Sequence, residues 1–565
     1  MKNMFIRFIT LISALLLPQL NQAQAPDFLW AHGLGNSGHE EAQLIAADLS
    51  GNIVVAGFFE GMVDFDPSAT SSTLTSSSSQ DIFLMKMDGN GNLMWVRQFS
   101  STGTSYAIDL EVDPSGNIFL LGSFTGTLDG DPGAAVLTLT NVKTMAFIIK
   151  LDDSGILSWA KQFEGTAEVF PSSIDVSYPG SVYIHGDISD GIAEFESGPG
   201  TFNLSTPSMW GFLCKLDASG NLVWAIFPSQ IPNWFGEIAV DANDNVLITG
   251  RFVGTIDFDP GPAVNTQSAT SFDVYLQKLD GAGNFEFVKS FGGPNTETGF
   301  KIDTDGDGNI LLEGLFADSA DFDPGPGVFQ MKSLGGDDIF YIKLNNIGDF
   351  LWAGTLGTTL NDAPVYSSFD NQGNIYLVNL IWTTMDLNPN VSAGNMFSTM
   401  GSNDGFIVKL DSAGNYQWVK FIGDSGWDVL YQICFDSANN IYLAGYFNSP
   451  TIDFSSIQVA NYLTTPPSYN LFVAKLESTT SGLPNMQLAA VNMFPNPAND
   501  FLNVEFPQQY SGTISISDML GRIVFNSTLQ NETIYKVNIS ALPAGIYSIQ
   551  LENDVSVFSE KVLVW

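Results

Sequence analysis

One segment of this chain recurs at a nearly constant interval. Asp113–Pro132, with the sequence DPSGNIFLLGSFTGTLDGDP, recurs at six other places. The order of features is the same each time, although some copies have lost several of them. These copies begin at Asp48, Ser181, Asp241, Asp305, Asp370 and Asp436. A glycine that marks the register of the repeat recurs every 64 to 66 residues, with Asn379 as the one replacement. A fixed period of this size decides the architecture before any local pattern does.

Each period contains four short runs with the composition of β-strands. In the second period they are Ala107–Asp113, Asn117–Phe124, Ala146–Asp152 and Trp159–Phe163, all rich in β-branched and aromatic residues. No longer run has the spacing of a helix. Four short strands in each of seven repeats predict an all-β fold, a seven-bladed β-propeller.

The turns between these runs assign the remaining loops to one face. D-x-x-G-N joins the first two strands, as at Asp113–Asn117, and D/N-x-x-G joins the last two, as at Asp152–Gly155. Asp caps such turns and Gly takes the left-handed position. Both turns are too short to connect two blades. The loops after the second strands and the jumps between blades therefore share the opposite face, which we call the long-loop face.

The two ends of the repeat region are complementary. The last third strand, Leu471–Glu477, is not followed by a fourth strand, whereas FLWAHGLG around Trp30 precedes all complete repeats. We expect this N-terminal strand to complete the seventh blade and to close the ring. Closure would also remove the open sheet edges that favour aggregation.

Charge and targeting signals narrow the range of functions. The chain has 20 Lys and Arg against 60 Asp and Glu, a net charge of −40, so nucleic acid is excluded as an expected partner. Residues 1–25 have the charged start, apolar run and A-x-A end of a signal peptide. No later segment reads as transmembrane. We expect a monomer in which residues 26–477 form the propeller and residues 478–492 a linker.

Two resemblances follow from motifs. Gly314–Trp352 carries G-x-F-x-x-x-x-D-F-D-P-G-P and then D-I-F-x-x-K-L, and is similar to the SBBP family of secreted bacterial β-propeller repeats. Residues 493–565 resemble the type A C-terminal sorting domain of the type IX secretion system, through Met493–Phe506, Ile514–Phe525 and Leu542–Asp554. The first resemblance implies the propeller fold.

The second resemblance implies a small β-sandwich that is recognised by the type IX secretion machinery and routes the protein across the outer membrane. The mature protein would be secreted or held at the cell surface. The sorting-signal motif then comprises Pro495, Asn496, Pro497, Gly521, Gly545 and Tyr547.

Acidic pairs on the long-loop face are candidate calcium ligands. The D-x-D-P motif follows the second strand in several repeats, and Ca²⁺ prefers clustered carboxylate and carbonyl oxygens. The candidates are Asp64, Asp66, Asp257, Asp259, Asp321 and Asp323. The alternative is an Asx-turn in which Pro fixes the following bend.

Four tryptophans outside the repeated positions are candidate ligand-binding residues on the same face: Trp210, Trp234, Trp382 and Trp427. Aromatic side chains supply much of the contact energy at binding sites, so a glycan or a surface protein is the expected ligand. The alternative is local packing beneath loops.

Signatures of catalysis are missing from the sequence. It has no G-x-S-x-G, H-E-x-x-H or phosphate-binding loop. We therefore predict a non-enzymatic binding or adhesion module. Two alternatives stay open: a carbohydrate-active enzyme, either a glycoside hydrolase or a lyase, on the long-loop face, and a purely structural surface protein.

Overall fold

The computed structural model divides the chain into two compact units, Ala25–Ser478 and a second one that contains Thr479–Trp565. It describes residues 25–477 except 36–37, 78, 178–179, 196–201, 233–235, 364–365, 388–395, 400, 455–461 and 465–468, and residues 492–564 except 495–497, 499–500, 519–522, 541, 544 and 553–556. The predicted signal peptide, up to residue 24, and the predicted linker, up to residue 491, lie outside the described residues. The domain limits therefore stay predictions.

The described chain consists of strands and turns without a helix, which confirms the prediction of an all-β protein. Seven antiparallel sheets of four strands make up the first unit, each strand pairing with the next. Sheets 1 to 3 contain Glu41–Ala47, Ile53–Phe59, Asp81–Met87 and Leu93–Phe99; Ser105–Val112, Ile118–Asp129, Thr138–Leu151 and Leu157–Gln162; and Val169–Ser177, Ser181–Ile188, Trp210–Leu216 and Leu222–Ile226.

Sheets 4 to 7 continue the same order along the chain. They contain Ile238–Val240, Val246–Asp257, Thr266–Leu279 and Phe285–Phe291; Glu297–Thr304, Ile310–Asp321, Gln330–Leu344 and Phe350–Leu356; Tyr366–Phe369, Ile375–Ile381, Asp404–Leu410 and Tyr416–Ile422; and Asp428–Phe435, Ile441–Phe447, Asn470–Leu476 and Phe28–Leu34. Short accessory strands extend the loops after the second strands: Met62–Asp64, Thr73–Thr75, Gly191–Glu194, Asn203–Thr206, Met385–Asp386, Met396–Phe397, Thr451–Asp453 and Tyr462–Thr464. One more, Glu164–Gly165, lies between sheets 2 and 3 and pairs with Gly191–Glu194.

The N-terminal strand is the fourth strand of sheet 7. Phe28–Leu34 runs antiparallel to Asn470–Leu476, with Ala31 opposite Ala474. The first strands of successive sheets contact one another, and the first strand of sheet 7 contacts that of sheet 1. The contacts between first strands therefore run in a closed cycle from sheet 1 to sheet 7 and back to sheet 1.

Hydrophobic side chains fill the space between neighbouring sheets. One buried cluster joins Leu84 of sheet 1, Leu120 of sheet 2 and Ile184 of sheet 3. Another joins Phe83 of sheet 1 to Val473 of sheet 7. The sheets thus pack face to face, and burial of their apolar faces is the main favourable term in their association.

The register glycine allows a close approach between the first two strands of a sheet. A Cβ added to Gly57 would lie 1.9 Å from the Glu41 carbonyl oxygen, where the first strand bulges between Ala42 and Leu44. In sheet 6 the described first strand begins only at Tyr366, opposite Val378, one residue short of Asn379. The side chain of Asn379 donates a hydrogen bond from Nδ2 to the Ala363 carbonyl at 2.8 Å.

The second unit is a five-stranded antiparallel arrangement. Its strands are Asn492–Phe494, Phe501–Asp518, Ile523–Asn538, Gly545–Glu552 and Val557–Val564. The two long strands pair along both of their halves, with irregular register between Glu505 and Gly512. Side chains such as Val504, Ile516 and Ile549 form its buried core.

Candidate functional site

The three described tryptophans of the predicted binding set belong to three different sheets. Trp427, just before the first strand of sheet 7, is 46% exposed. Trp210 is half-buried and packs its ring against Phe227, with 5.1 Å between the centroids, and Trp382 is half-buried in a turn of sheet 6. Trp234 lies outside the described residues. Trp427 is thus the described candidate that offers an open aromatic face, and the structure does not join the three described tryptophans into one site.

The D-x-D-P carboxylates close their own loops. Asp64 Oδ1 accepts the N–H groups of Asp66 at 3.1 Å and Ser72 at 2.8 Å. The same two hydrogen bonds recur at Asp257, from Asp259 and Asn265, and at Asp321, from Asp323 and Phe329. The second aspartates, Asp66, Asp259 and Asp323, each cap the following turn. Hydrogen bonds from Thr70 and Ser68 lower the pKa of Asp66.

This geometry is that of the Asx-turn alternative. Within the part of the chain that the structure describes, no three His, Cys, Asp or Glu side chains converge as a metal site. Calcium at these six aspartates stays a prediction, because the turn hydrogen bonds use Oδ1 of each first aspartate and leave further oxygens.

An aromatic patch lies where sheet 7 meets sheet 1 on the long-loop face. We define it as His39, Phe58, Tyr431, Tyr446 and Tyr469. The His39 ring lies 4.7 Å from that of Tyr469 and 5.2 Å from that of Phe58, between centroids. Tyr446 contacts Tyr469 at 5.5 Å and Tyr431 at 5.7 Å. Tyr469 is 37% exposed and so presents the patch to solvent.

A buried carboxylate holds the patch in place. Glu41 accepts hydrogen bonds from Tyr431 Oη at 2.7 Å and Gln43 Nε2 at 3.0 Å, and its Oε1 lies 2.8 Å from His39 Nε2. Three partners fix this one side chain. The patch is therefore pre-organised, which reduces the entropy lost when a ligand binds.

A cavity of about 450 Å³ lies where the first strands of all seven sheets meet. Its lining includes charged residues two apart on a first strand, which share a face. In sheet 2 these are Asp109 and Glu111, and in sheet 5 they are Lys301 and Asp303. Asp175 of sheet 3 and Glu237 of sheet 4 complete a cluster of five carboxylates around one ammonium group.

Most of these side chains connect one sheet to the next. Asp109 accepts the N–H of Ile174, and the same link recurs from Asp175 to Val240, from Glu237 to Ile302 and from Asp303 to Phe369, at 2.6 to 3.3 Å. Gln432 Oε1 accepts the N–H of Ile45 at 2.9 Å, so it links sheet 7 to sheet 1. Glu237 also forms an ion pair with Lys301.

Burial controls the ionisation of the cavity. It raises the pKa of Glu111 well above its usual range, and the carboxylates of Asp175 and Asp109 raise it further. Burial raises the pKa of Asp175 to about 7, against hydrogen bonds from Val240 and Val176. Burial alone would lower the pKa of Lys301, but Glu237 and Asp109 raise it, so Lys301 stays charged.

Sequence reasoning missed both the cavity cluster and the aromatic patch. The signal for the cluster was available: Asp109 and Glu111 stand four and two residues before the turn aspartate Asp113, and Lys301 and Asp303 stand likewise before Asp305. Because these positions vary between repeats, they carry no repeated motif. The patch combines residues about 390 apart in the chain, such as Glu41 and Tyr431.

Two sorting-motif residues are described in the second unit. Gly545 begins a strand, and Tyr547 is buried and donates its hydroxyl to the Pro543 carbonyl at 2.8 Å. Pro495, Asn496, Pro497 and Gly521 lie outside the described residues.

Residues 492–565 match the secretion system C-terminal sorting domain. The chain is therefore exported through type IX secretion to the cell surface or the extracellular space. No helical segment of the described chain is long and apolar enough to cross a membrane.

Curated relatives match the chain in part. An uncharacterized WD repeat-containing protein of Acanthamoeba polyphaga mimivirus is 23% identical over 79% of this chain and 38% of its own length. An ulvan lyase of Nonlabens ulvanivorans is 29% identical over 16% of this chain, and an endo-acting ulvan lyase of Formosa agariphila is 33% identical over 13%. The chain spans 17% and 14% of these two lyases.

A solved structure, that of a protein of unknown function from Dyadobacter fermentans, is similar over 80% of this chain and 98% of that chain, with 9% identity and a TM-score of 0.35.

Proposed function

We propose that the seven sheets are the blades of a closed, seven-bladed β-propeller of the SBBP type, and that the exported protein is a non-enzymatic binding or adhesion module. Its ligand is a glycan or a surface protein, bound on the long-loop face. The cyclic contacts of the first strands and the similarity to a WD repeat-containing protein support the architecture.

The aromatic patch is the observation that carries the binding function. It combines an exposed tyrosine ring, a partly exposed imidazole and a fixed carboxylate beneath them. Aromatic rings stack on the apolar faces of sugars, and polar groups beside them fix the orientation of the ligand. Trp427 adds a second exposed ring on the same face.

The cavity supports a non-catalytic function. Four of its five carboxylates accept backbone N–H groups from the next sheet, and one of them also binds Lys301. Side chains engaged in this way hold the first strands together. Glu111 is the carboxylate of the cluster that forms no such link, and it is the residue on which an enzymatic alternative would depend.

The test is a glycan array probed with the full chain, its Tyr469→Ala and Trp427→Ala variants, and matched controls. We expect Tyr469→Ala to weaken binding about tenfold or more, which corresponds to about 1.4 kcal/mol. Tyr469→Phe keeps the ring and should bind as the unchanged chain does. Ile347→Ala, an exposed apolar residue on the opposite face, should also have no effect.

Binding that is insensitive to both substitutions would contradict the proposed surface. Release of sugar reducing ends or unsaturated products, lost in Glu111→Gln, would establish the carbohydrate-active enzyme instead. The weak similarity to two ulvan lyases is what keeps this alternative worth assaying. An array without any bound glycan would leave a surface protein as the ligand or a purely structural role.

A further inference from the structure

A pair of side chains recurs at the junctions between neighbouring sheets. The first member lies five residues before the repeated lysine of a third strand, as Asp273 does before Lys278. The second member lies eight residues before the aspartate that begins the first turn of the next sheet, as Glu297 does before Asp305. At three consecutive junctions both members are acids. We call these the junction pairs: Asp273 with Glu297, Asp338 with Asp362, and Asp404 with Asp428.

The pair at the junction of sheets 4 and 5 brings two carboxylates together. A Cβ added to Gly292 would lie 2.6 Å from Asp273 Oδ1 and 2.8 Å from Glu297 Oε2. Both oxygens therefore approach the same point, and glycine is required there. Gly357 has the same relation to Asp338, whose Oδ2 would lie 2.1 Å from an added Cβ.

Two of the paired acids, Glu297 and Asp338, form no ion pair with a cationic side chain among the described residues. Glu297 and Asp338 are both fully buried. Glu297 Oε2 accepts the N–H of Gly293 at 2.9 Å and Asp338 Oδ2 that of Leu334 at 2.8 Å. Glu297 Oε1, Asp338 Oδ1 and Asp273 Oδ1 have no hydrogen-bond partner among the described residues. A buried, unpaired carboxylate is costly unless it binds a cation or a proton.

At two other junctions both acids are replaced by residues of like character. At the junction of sheets 2 and 3 the two equivalent positions hold Met145 and Val169, which lie in one buried hydrophobic cluster. At the junction of sheets 7 and 1 they hold Asn470 and Glu40, and both approach the position of a Cβ added to Gly35. Two oxygen donors, or two apolar groups, thus occupy each of these junctions together.

We propose that each junction pair binds one divalent cation of the calcium class between neighbouring sheets. The two carboxylates supply the side-chain ligands and neutralise the ion. Ca²⁺ takes about six to eight oxygen ligands, so backbone carbonyls and water complete the shell. The cation thus connects the third strand of one sheet to the start of the first strand of the next sheet. The chain carries a net charge of −40, which favours uptake of cations. The proposal does not depend on the proposed binding function.

The experiment measures Ca²⁺ binding and thermal unfolding of the full chain, first stripped with EGTA and then titrated with CaCl₂. We expect about three Ca²⁺ per chain and a rise in the melting temperature, because a ligand that binds only the folded state stabilises it. Asp338→Asn should lower the stoichiometry by one. Glu297→Gln, at another junction, should do the same and serves as an independent variant.

Asp307→Asn, in an exposed turn outside both sets of calcium candidates, is the matched control and should keep the full stoichiometry. A chain that binds no Ca²⁺ and whose melting temperature does not change with CaCl₂ would overturn the proposal, because protons would then neutralise the pairs. Loss of Ca²⁺ in Asp64→Asn rather than in Asp338→Asn would also overturn it and assign the ion to the surface turns.

Discussion

A lysine on the third strand lies next to the aspartate that begins the first turn of the same sheet. Lys86 Nζ lies 2.7 Å from Asp48 Oδ2, and Lys278 and Lys343 lie 2.8 Å and 2.9 Å from Asp241 and Asp305. Asp48 Oδ1 also accepts the N–H groups of two turn residues. Burial opposes ionisation of Asp48, but hydrogen bonds from Lys86 and Asn52 lower its pKa. The repeated lysine therefore neutralises the buried aspartate that begins the turn.

Replacing this lysine should be costly. Lys86→Met leaves the buried Asp48 carboxylate without its cation, and breaking a buried pair costs about 3–5 kcal/mol. Lys289→Met is the control, because its pair with Asp349 is partly exposed and worth about 0–1 kcal/mol. Chemical denaturation of the two variants measures the difference. Equal losses of unfolding free energy would show that the buried lysine has no special role.

At the scale of strands, the sequence predicts a sheet well and a site poorly. The turn residues and the period locate the strands, because Asp, Gly and Asn act within a few residues of one another. The cavity acids are different, since Asp109 contacts Ile174 only after two sheets have packed. The aromatic patch likewise needs Tyr431 and Glu41 to meet across the join of the N- and C-terminal sheets. Such contacts have no local signal.

The cavity predicts a dependence of stability on pH. Because burial raises the pKa of Glu111 and Asp175, the folded chain binds more protons than the unfolded chain above about pH 4. The contribution of these two groups to the free energy of unfolding is full at low pH and is lost as the pH rises through about 7. In EGTA, the melting temperature should therefore fall between pH 5 and pH 8.

Glu111→Gln removes one of these titrating groups and should flatten that decline by several degrees. Asp307→Asn, in an exposed turn, should leave the slope unchanged and is the control. A decline that is equally steep in both variants would mean that the cavity acids are ionised in both the folded and the unfolded chain.

At the scale of the whole molecule, three features depend on how sheet 7 is completed. The strand Phe28–Leu34 supplies its fourth member, Gln432 links its first strand to sheet 1, and the aromatic patch lies at this join. The N-terminal position of FLWAHGLG was enough to predict the pairing partner. The side chains that surround the join could not be predicted, because they belong to no repeat.

The most direct test of this closed arrangement is a disulfide across the join. Ala31 and Ala474 face each other on antiparallel strands, a geometry that places Cα atoms within the range of a disulfide. The double variant Ala31→Cys with Ala474→Cys is oxidised and then digested, and the linked peptides are identified by mass. The native Cys214 and Cys434 are free, and burial raises the pKa of both thiols, so they should not compete. We expect an intramolecular bond in nearly every chain and a higher melting temperature. Unlinked cysteines, or links between two chains, would contradict the closed arrangement.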